Sequence, residues 1–122
     1  MSEQIVKQID AAVAAHGEWK ARLRSAIDTG ASEFSVVTVQ VDNQCAFGKW
    51  LYATTPAEQG ASWAEVRDLH ARFHAVAAGV LNDALTGHRT EAETAIALGS
   101  EFAKVSSALT RAMMQWKAAA AA

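Results

Sequence analysis

The stretch that decides the fold is Trp63-Ala-Glu-Val-Arg-Asp-Leu-His70-Ala-Arg-Phe-His74-Ala-Val-Ala-Ala-Gly-Val-Leu-Asn-Asp-Ala-Leu85. Its apolar residues recur in steps of three and four, with Val66, Leu69, Phe73, Ala77 and Leu81 on one face. That period belongs to an amphipathic helix packed against others. Two histidines, His70 and His74, fall on the same face where leucine would be expected. Side chains four apart on a helix stand about 5–6 Å from one another at Cβ, so the pair can act on one centre.

A matching pattern lies upstream. Ile5, Ile9, Ala12, His16, Trp19, Leu23 and Ala26 form a second seam, which predicts a helix over 2–29 stopped by Gly30. His16 interrupts that seam as His70 and His74 interrupt theirs. Between the two, Ser35-Val-Val-Thr-Val-Gln-Val41 is rich in β-branched residues. With no second strand to pair with, it is expected as an extended connector along the bundle. Asp42 or Asn43 is placed to cap a short helix over 44–53 that carries the only cysteine, Cys45. Capping-box patterns at Thr55-x-x-Glu58 and Ser62-x-x-Glu65 precede the long helix, with a single turn expected after Pro56. Thr86-Gly87 closes the long helix. Thr90-x-x-Glu93 opens a last one, with Ala92, Ala95, Gly99, Phe102, Ser106, Leu109, Met113 and Trp116 on its inward face and a frayed tail over 118–122. The expected fold is all-α: a single domain over 1–122, an antiparallel four-helix bundle of three long helices and one short cysteine-bearing helix.

The bulk composition agrees. The 122 residues are 51% apolar with one proline, a helix-forming composition large enough for a core. Lys and Arg number 11 against 13 Asp and Glu, a net charge of −2 that gives no basic surface for nucleic acid. No apolar run approaches the roughly 20 residues of a membrane span, so no membrane insertion is expected. The opening Met1-Ser-Glu-Gln lacks a basic and apolar leader, and one cysteine makes no internal disulfide. A cytoplasmic setting follows as the expectation.

His16, Cys45, His70 and His74 are the donor types of a tetrahedral zinc site, and a bundle core can bring them together from three helices. Taken singly, each has another reading. A core histidine can satisfy itself on a carbonyl, and an unpaired cysteine is most often a small buried residue. His88, beside Gly87 and Arg89, reads as a solvated loop residue. Cys45 falls in a first helical turn, where free amides favour a thiolate. Four protein ligands fill the shell, so the site is structural or sensing and the chain is not read as an enzyme. A zinc hydrolase would need a base; Glu65 and Asp68 are the nearest in sequence. A di-iron bundle would want inward carboxylates, which the seams lack. Copper binds such donors more tightly than zinc, so the metal depends on availability.

The elements Ala15-His16-Gly-Glu-Trp19, Cys45-Ala-Phe47-Gly48-Lys-Trp50-Leu51-Tyr52 and Leu69-His70-Ala-Arg-Phe73-His74 resemble, in order and separation, those of the chemoreceptor zinc-binding domain family. The resemblance implies a cytoplasmic four-helix regulatory unit with a zinc site at His16, Cys45, His70 and His74. It also implies that Trp19, Phe47, Trp50 and Phe73 support the site, and that Cys45 is a candidate redox switch for hypochlorous acid. The partners implied are a chemoreceptor or a diguanylate cyclase. A homodimer is expected, from the resemblance and from an apolar strip of Leu109, Met113, Met114 and Trp116 on the last helix. The competing reading is a metal-free helical interaction module.

Overall fold

The computed structural model describes residues 3–54 and 59–121, and no strand occurs among them. The helices are α1 (Glu3–Gly17), α2 (Trp19–Thr29), α3 (Val36–Gln40), α4 (Ala46–Tyr52), α5 (Ala61–Leu85), α6 (Arg89–Ala95) and α7 (Glu101–Ala121). The 25-residue α5 is the axis of the packing, in contact with α7, α3, α2, α6 and α4, while α1 lies against α7 and α4. The core draws on every helix, from Ile5 and Ile9 through Leu23, Val39, Phe47, Leu51, Val66, Phe73, Leu81 and Ala92 to Leu109 and Trp116. The apolar periods of the sequence are therefore buried faces.

Several boundaries differ from the sequence expectation, each for a local reason. The first helix is interrupted at Gly17-Glu18, where the Glu18 amide donates to the Ala15 carbonyl at 3.3 Å in a tighter turn. Glu18 keeps right-handed angles, so α2 continues the same seam, and Gly30 ends it with φ +72° and an amide bond to the Ala26 carbonyl at 2.7 Å. The connector is not wholly extended. Ser35 accepts the Thr38 amide on its hydroxyl, and this cap starts the short helix α3 despite its β-branched residues. Burial of Val39 holds that helix against α5.

The cap of α4 is Cys45 itself rather than Asp42 or Asn43: the Gly48 amide donates to Cys45 Sγ at 3.3 Å. Gly60, not Ser62, precedes α5, with no side-chain cap. The Thr55–Glu58 capping pattern and the turn after Pro56 lie outside the described residues. The expected last helix is two. The first, α6, ends at Ala95 with Ile96 as its cap; Gly99, at φ +80°, lies in the turn that follows, and Ser100 restarts the helix by accepting the Ala103 amide at 3.2 Å. The tail is helical through Ala121. The supposed outer strip of α7 faces inward: Leu109, Met113 and Trp116 are buried, leaving Met114 exposed.

The short α4 is fixed on three sides. Trp63 Nε1–H donates to the Leu51 carbonyl at 3.0 Å, the Trp50 ring packs on Trp116 with centroids 5.7 Å apart, and the Tyr52 hydroxyl donates to the Asp42 carboxylate. At Gly48 the backbone of Asp42 comes so close that a Cβ would stand 1.8 Å from its carbonyl oxygen. Only glycine fits there. Gly48→Ala should therefore destabilise the protein by about 1–3 kcal/mol in chemical denaturation. Gly17→Ala, with nothing within 4 Å of its Cβ, should be neutral or stabilising by up to about 1 kcal/mol.

Candidate metal centre

Each donor reaches the centre from a different direction. His16 ends α1, Cys45 caps α4, and His70 and His74 occupy successive turns of α5. One nitrogen from each histidine and the sulfur all lie within 4.8 Å of one another, an arrangement able to hold a metal ion. His70 Nε2 stands 3.1 Å from both His16 Nε2 and His74 Nε2. Cys45 Sγ stands 3.3 Å from His70 Nε2 and 3.5 Å from His74 Nε2. With zinc–nitrogen bonds of about 2.0–2.1 Å and a zinc–sulfur bond of about 2.3 Å, a tetrahedron has edges of about 3.4 Å and 3.5 Å. Four of the six edges match these to within a few tenths of an ångström, and the two from His16 to His74 and Cys45 lie within 4.8 Å.

Hydrogen bonding alone does not account for this cluster. His16 Nδ1 donates to the Ala12 carbonyl at 2.8 Å and His74 Nδ1 donates to the Val39 carbonyl at 3.0 Å. A carbonyl only accepts, so both Nδ1 atoms carry the hydrogen and, in the neutral rings, both Nε2 atoms present bare lone pairs. His70 Nε2 faces both. A single N–H there could satisfy one neighbour, never two. Its Nδ1 is buried with no partner among the described residues, so neither tautomer of His70 leaves the group satisfied. A central cation accepts all the converging Nε2 and sulfur lone pairs at once, and the carbonyl bonds at the far nitrogens of His16 and His74 are the usual support for histidine ligands, a support that His70 Nδ1 lacks.

The protonation states suit metal binding. Burial, opposed in part by the bond to Ala12, lowers the His16 pKa to about 4. Burial, with the neighbouring His74 and His16, lowers that of His70 to about 2. Burial also lowers that of His74, against the raising effect of Val39. The imidazoles are therefore neutral at ordinary pH, the form a metal requires. Cys45 differs from expectation. Burial raises its thiol pKa although the Gly48 amide pulls the other way, so the turn alone does not make a thiolate. A cation in the cluster would supply the missing stabilisation.

Of the aromatic residues singled out in the sequence, two border the donors. Phe47 stands edge-on to His70 at 5.2 Å, and Phe73 edge-on to His16 at 5.2 Å. Trp50 is one layer out, against Phe47 and Trp116. Trp19 lies elsewhere, paired with Phe34 at 5.1 Å beneath the Arg22 guanidinium. His88 is exposed beside Thr86, and Glu65 and Asp68 are on the outer face of α5, Asp68 paired with Arg67. The supports that sequence reading missed are the carbonyls of Ala12 and Val39. Backbone acceptors leave no mark in residue type.

The profile of the chemoreceptor zinc-binding domain family matches residues 16–81, just over half the chain and inclusive of all four donors. The chain belongs to that family. No curated protein and no solved structure gives a match. The matched segment of this chemoreceptor zinc-binding domain ends inside α5, so α6 and α7 lie outside it. No helix among the described residues is long and apolar enough to cross a membrane.

The lowered imidazole pKa values set the acid stability of the metal-free protein. Unfolding restores each histidine to its ordinary value of 6.5, so below that value the unfolded chain binds more protons. The stability these groups contribute is complete above 6.5 and is lost as the pH falls, towards about 4 for His16 and about 2 for His70. With a chelator present, the melting temperature should drop across this window. His16→Gln should make the drop shallower, as read by circular dichroism.

Proposed function

We propose that the chain is a zinc-dependent regulatory module in which His16, Cys45, His70 and His74 bind one zinc ion on an antiparallel four-helix bundle. The observation that carries this reading is the set of donors converging on one point, four of whose six separations are close to tetrahedral edges. Bound there, zinc would supply a closed electrostatic crosslink and no catalytic water, because four protein donors complete its shell. Three neutral rings and one thiolate leave the centre at +1, and Cys45 is its only anionic donor. The role is therefore regulatory rather than enzymatic, and the outward carboxylates of Glu65 and Asp68 leave a hydrolase without a base at the site.

Signalling would pass through α4. Cys45 Sγ is at once a donor in the cluster and the cap of that helix, so loss of the thiolate weakens both. Hypochlorous acid is a suitable oxidant: the thiolate sulfur gives two electrons, chloride departs, and water supplies the oxygen of the resulting sulfenic acid. A partner of the chemoreceptor or diguanylate cyclase type would read the docked and released states of α4. A homodimer now rests on the family resemblance alone, since the α7 strip is internal.

Elemental analysis of the purified protein should give one zinc per chain, and a chelator should lower its melting temperature. His70→Ala and Cys45→Ala should each reduce zinc affinity by at least about tenfold. Folded, zinc-free protein whose melting is indifferent to chelator would falsify the metal reading and favour the interaction module. In a separate test, hypochlorous acid should release zinc or loosen α4 in step with a one-oxygen mass gain at Cys45. The same response in Cys45→Ser would end the redox proposal.

A further inference from the structure

A pocket of about 270 Å³ opens between the α1–α2 break and α7, and the metal centre forms part of its wall. His16 lines it on one side, with Phe73 and Phe102, 5.6 Å apart, as an apolar floor. Lys20, Ser106 and Thr110 line it as well, and these three supply an ammonium and two hydroxyls. No carboxylate contributes to the lining. Lys20, like Lys7, Lys49, Lys104 and Arg111, takes part in no ion pair among the described residues. Beyond Ser106 and Thr110, the adjoining depression on α7 adds Arg111 and again no acid. The pocket thus joins an aromatic floor to a cationic, hydroxyl-bearing rim.

We propose that this pocket binds a small monocarboxylate with an apolar body, and that its occupancy strengthens metal binding through His16. The carboxylate pairs with the Lys20 ammonium and accepts from the Ser106 and Thr110 hydroxyls, and the apolar body lies on Phe73 and Phe102. Because the same molecule contacts α1–α2, α5 and α7, it holds the His16 ring in the orientation that points Nε2 at His70. Linkage is reciprocal, so zinc also strengthens ligand binding. The coupling, but not the pocket itself, rests on the zinc reading given above.

The test uses the full chain, with zinc content measured before any titration. Benzoate, added to zinc-loaded 15N-labelled protein, should give saturable amide shifts centred on His16, Lys20, Ser106 and Thr110. Inorganic phosphate, which has no apolar body, should give none. Lys20→Ala, on an exposed rim position that should not affect folding, should weaken benzoate binding about tenfold. Thr110→Trp, which fills the mouth, should abolish it. In chelator competition, saturating benzoate should raise the zinc affinity of the wild type about fivefold or more and leave Lys20→Ala unchanged. An absence of saturable shifts, an equal response to phosphate, indifference to Lys20→Ala or an unchanged zinc affinity overturns the proposal. Protein that takes up no zinc refutes the metal reading instead, while zinc-loaded protein that ignores benzoate refutes the pocket alone.

Discussion

The rest of the structure depends on the mutual approach of four electron-pair donors in a buried place. Three ring nitrogens and a sulfur sit at hydrogen-bond distance with too few hydrogens to pair them all, because two of the rings have committed their hydrogens to carbonyls on their far sides. Leaving such groups unpaired costs on the order of 1–3 kcal/mol each. A cation at their centre turns the same repulsion into attraction. The fold around them brings α1, α4 and α5 into a fixed relation, and the apolar seams supply the burial that makes the imidazoles neutral.

That relation gives the short α4 its importance. On its own, a seven-residue helix is far below the length that is stable in water. It persists here because Phe47 and Leu51 are buried, Asp42 closes over Gly48, and Cys45 caps the first turn with the same sulfur that completes the donor set. A change at this sulfur acts on a marginal element instead of the whole core. His74 makes a comparable link on the other side, since its bond to the Val39 carbonyl ties α3 to the cluster. The centre is thus connected to α3 and α4, two of the three short helices.

Much of this was legible in the sequence, because polar residues inserted into apolar seams are conspicuous. His16, His70 and His74 stand where the three- and four-residue steps call for leucine, and the Cys-x-Phe-Gly-x-Trp element carries its glycine where the backbone must approach closely. The seams of α1, α2 and α5 were readable for the same reason. Boundaries were harder. The chain leaves the helix over 96–100, with Gly99 in the turn and Ser100 as the new cap, yet heptad spacing runs through this stretch and hides the break. The run Ser35–Val41 has strand propensity, but a single serine cap and the burial of Val39 outweigh it. The inward face of α7 was legible from its period, since Leu109, Met113 and Trp116 are buried and Trp116 meets Trp50 inside the fold; the expectation of an exposed strip there is what fails. Protonation also escaped the sequence, where helix position argued for a thiolate and burial argues more strongly against one until a cation is present.

The most direct measurement is zinc K-edge X-ray absorption on the protein loaded with one equivalent of zinc. The geometry predicts three nitrogen scatterers at about 2.0–2.1 Å with the outer-shell pattern of imidazole, and one sulfur at about 2.3 Å. A first shell of oxygen and nitrogen without sulfur, or one with fewer than three imidazoles, would contradict the account.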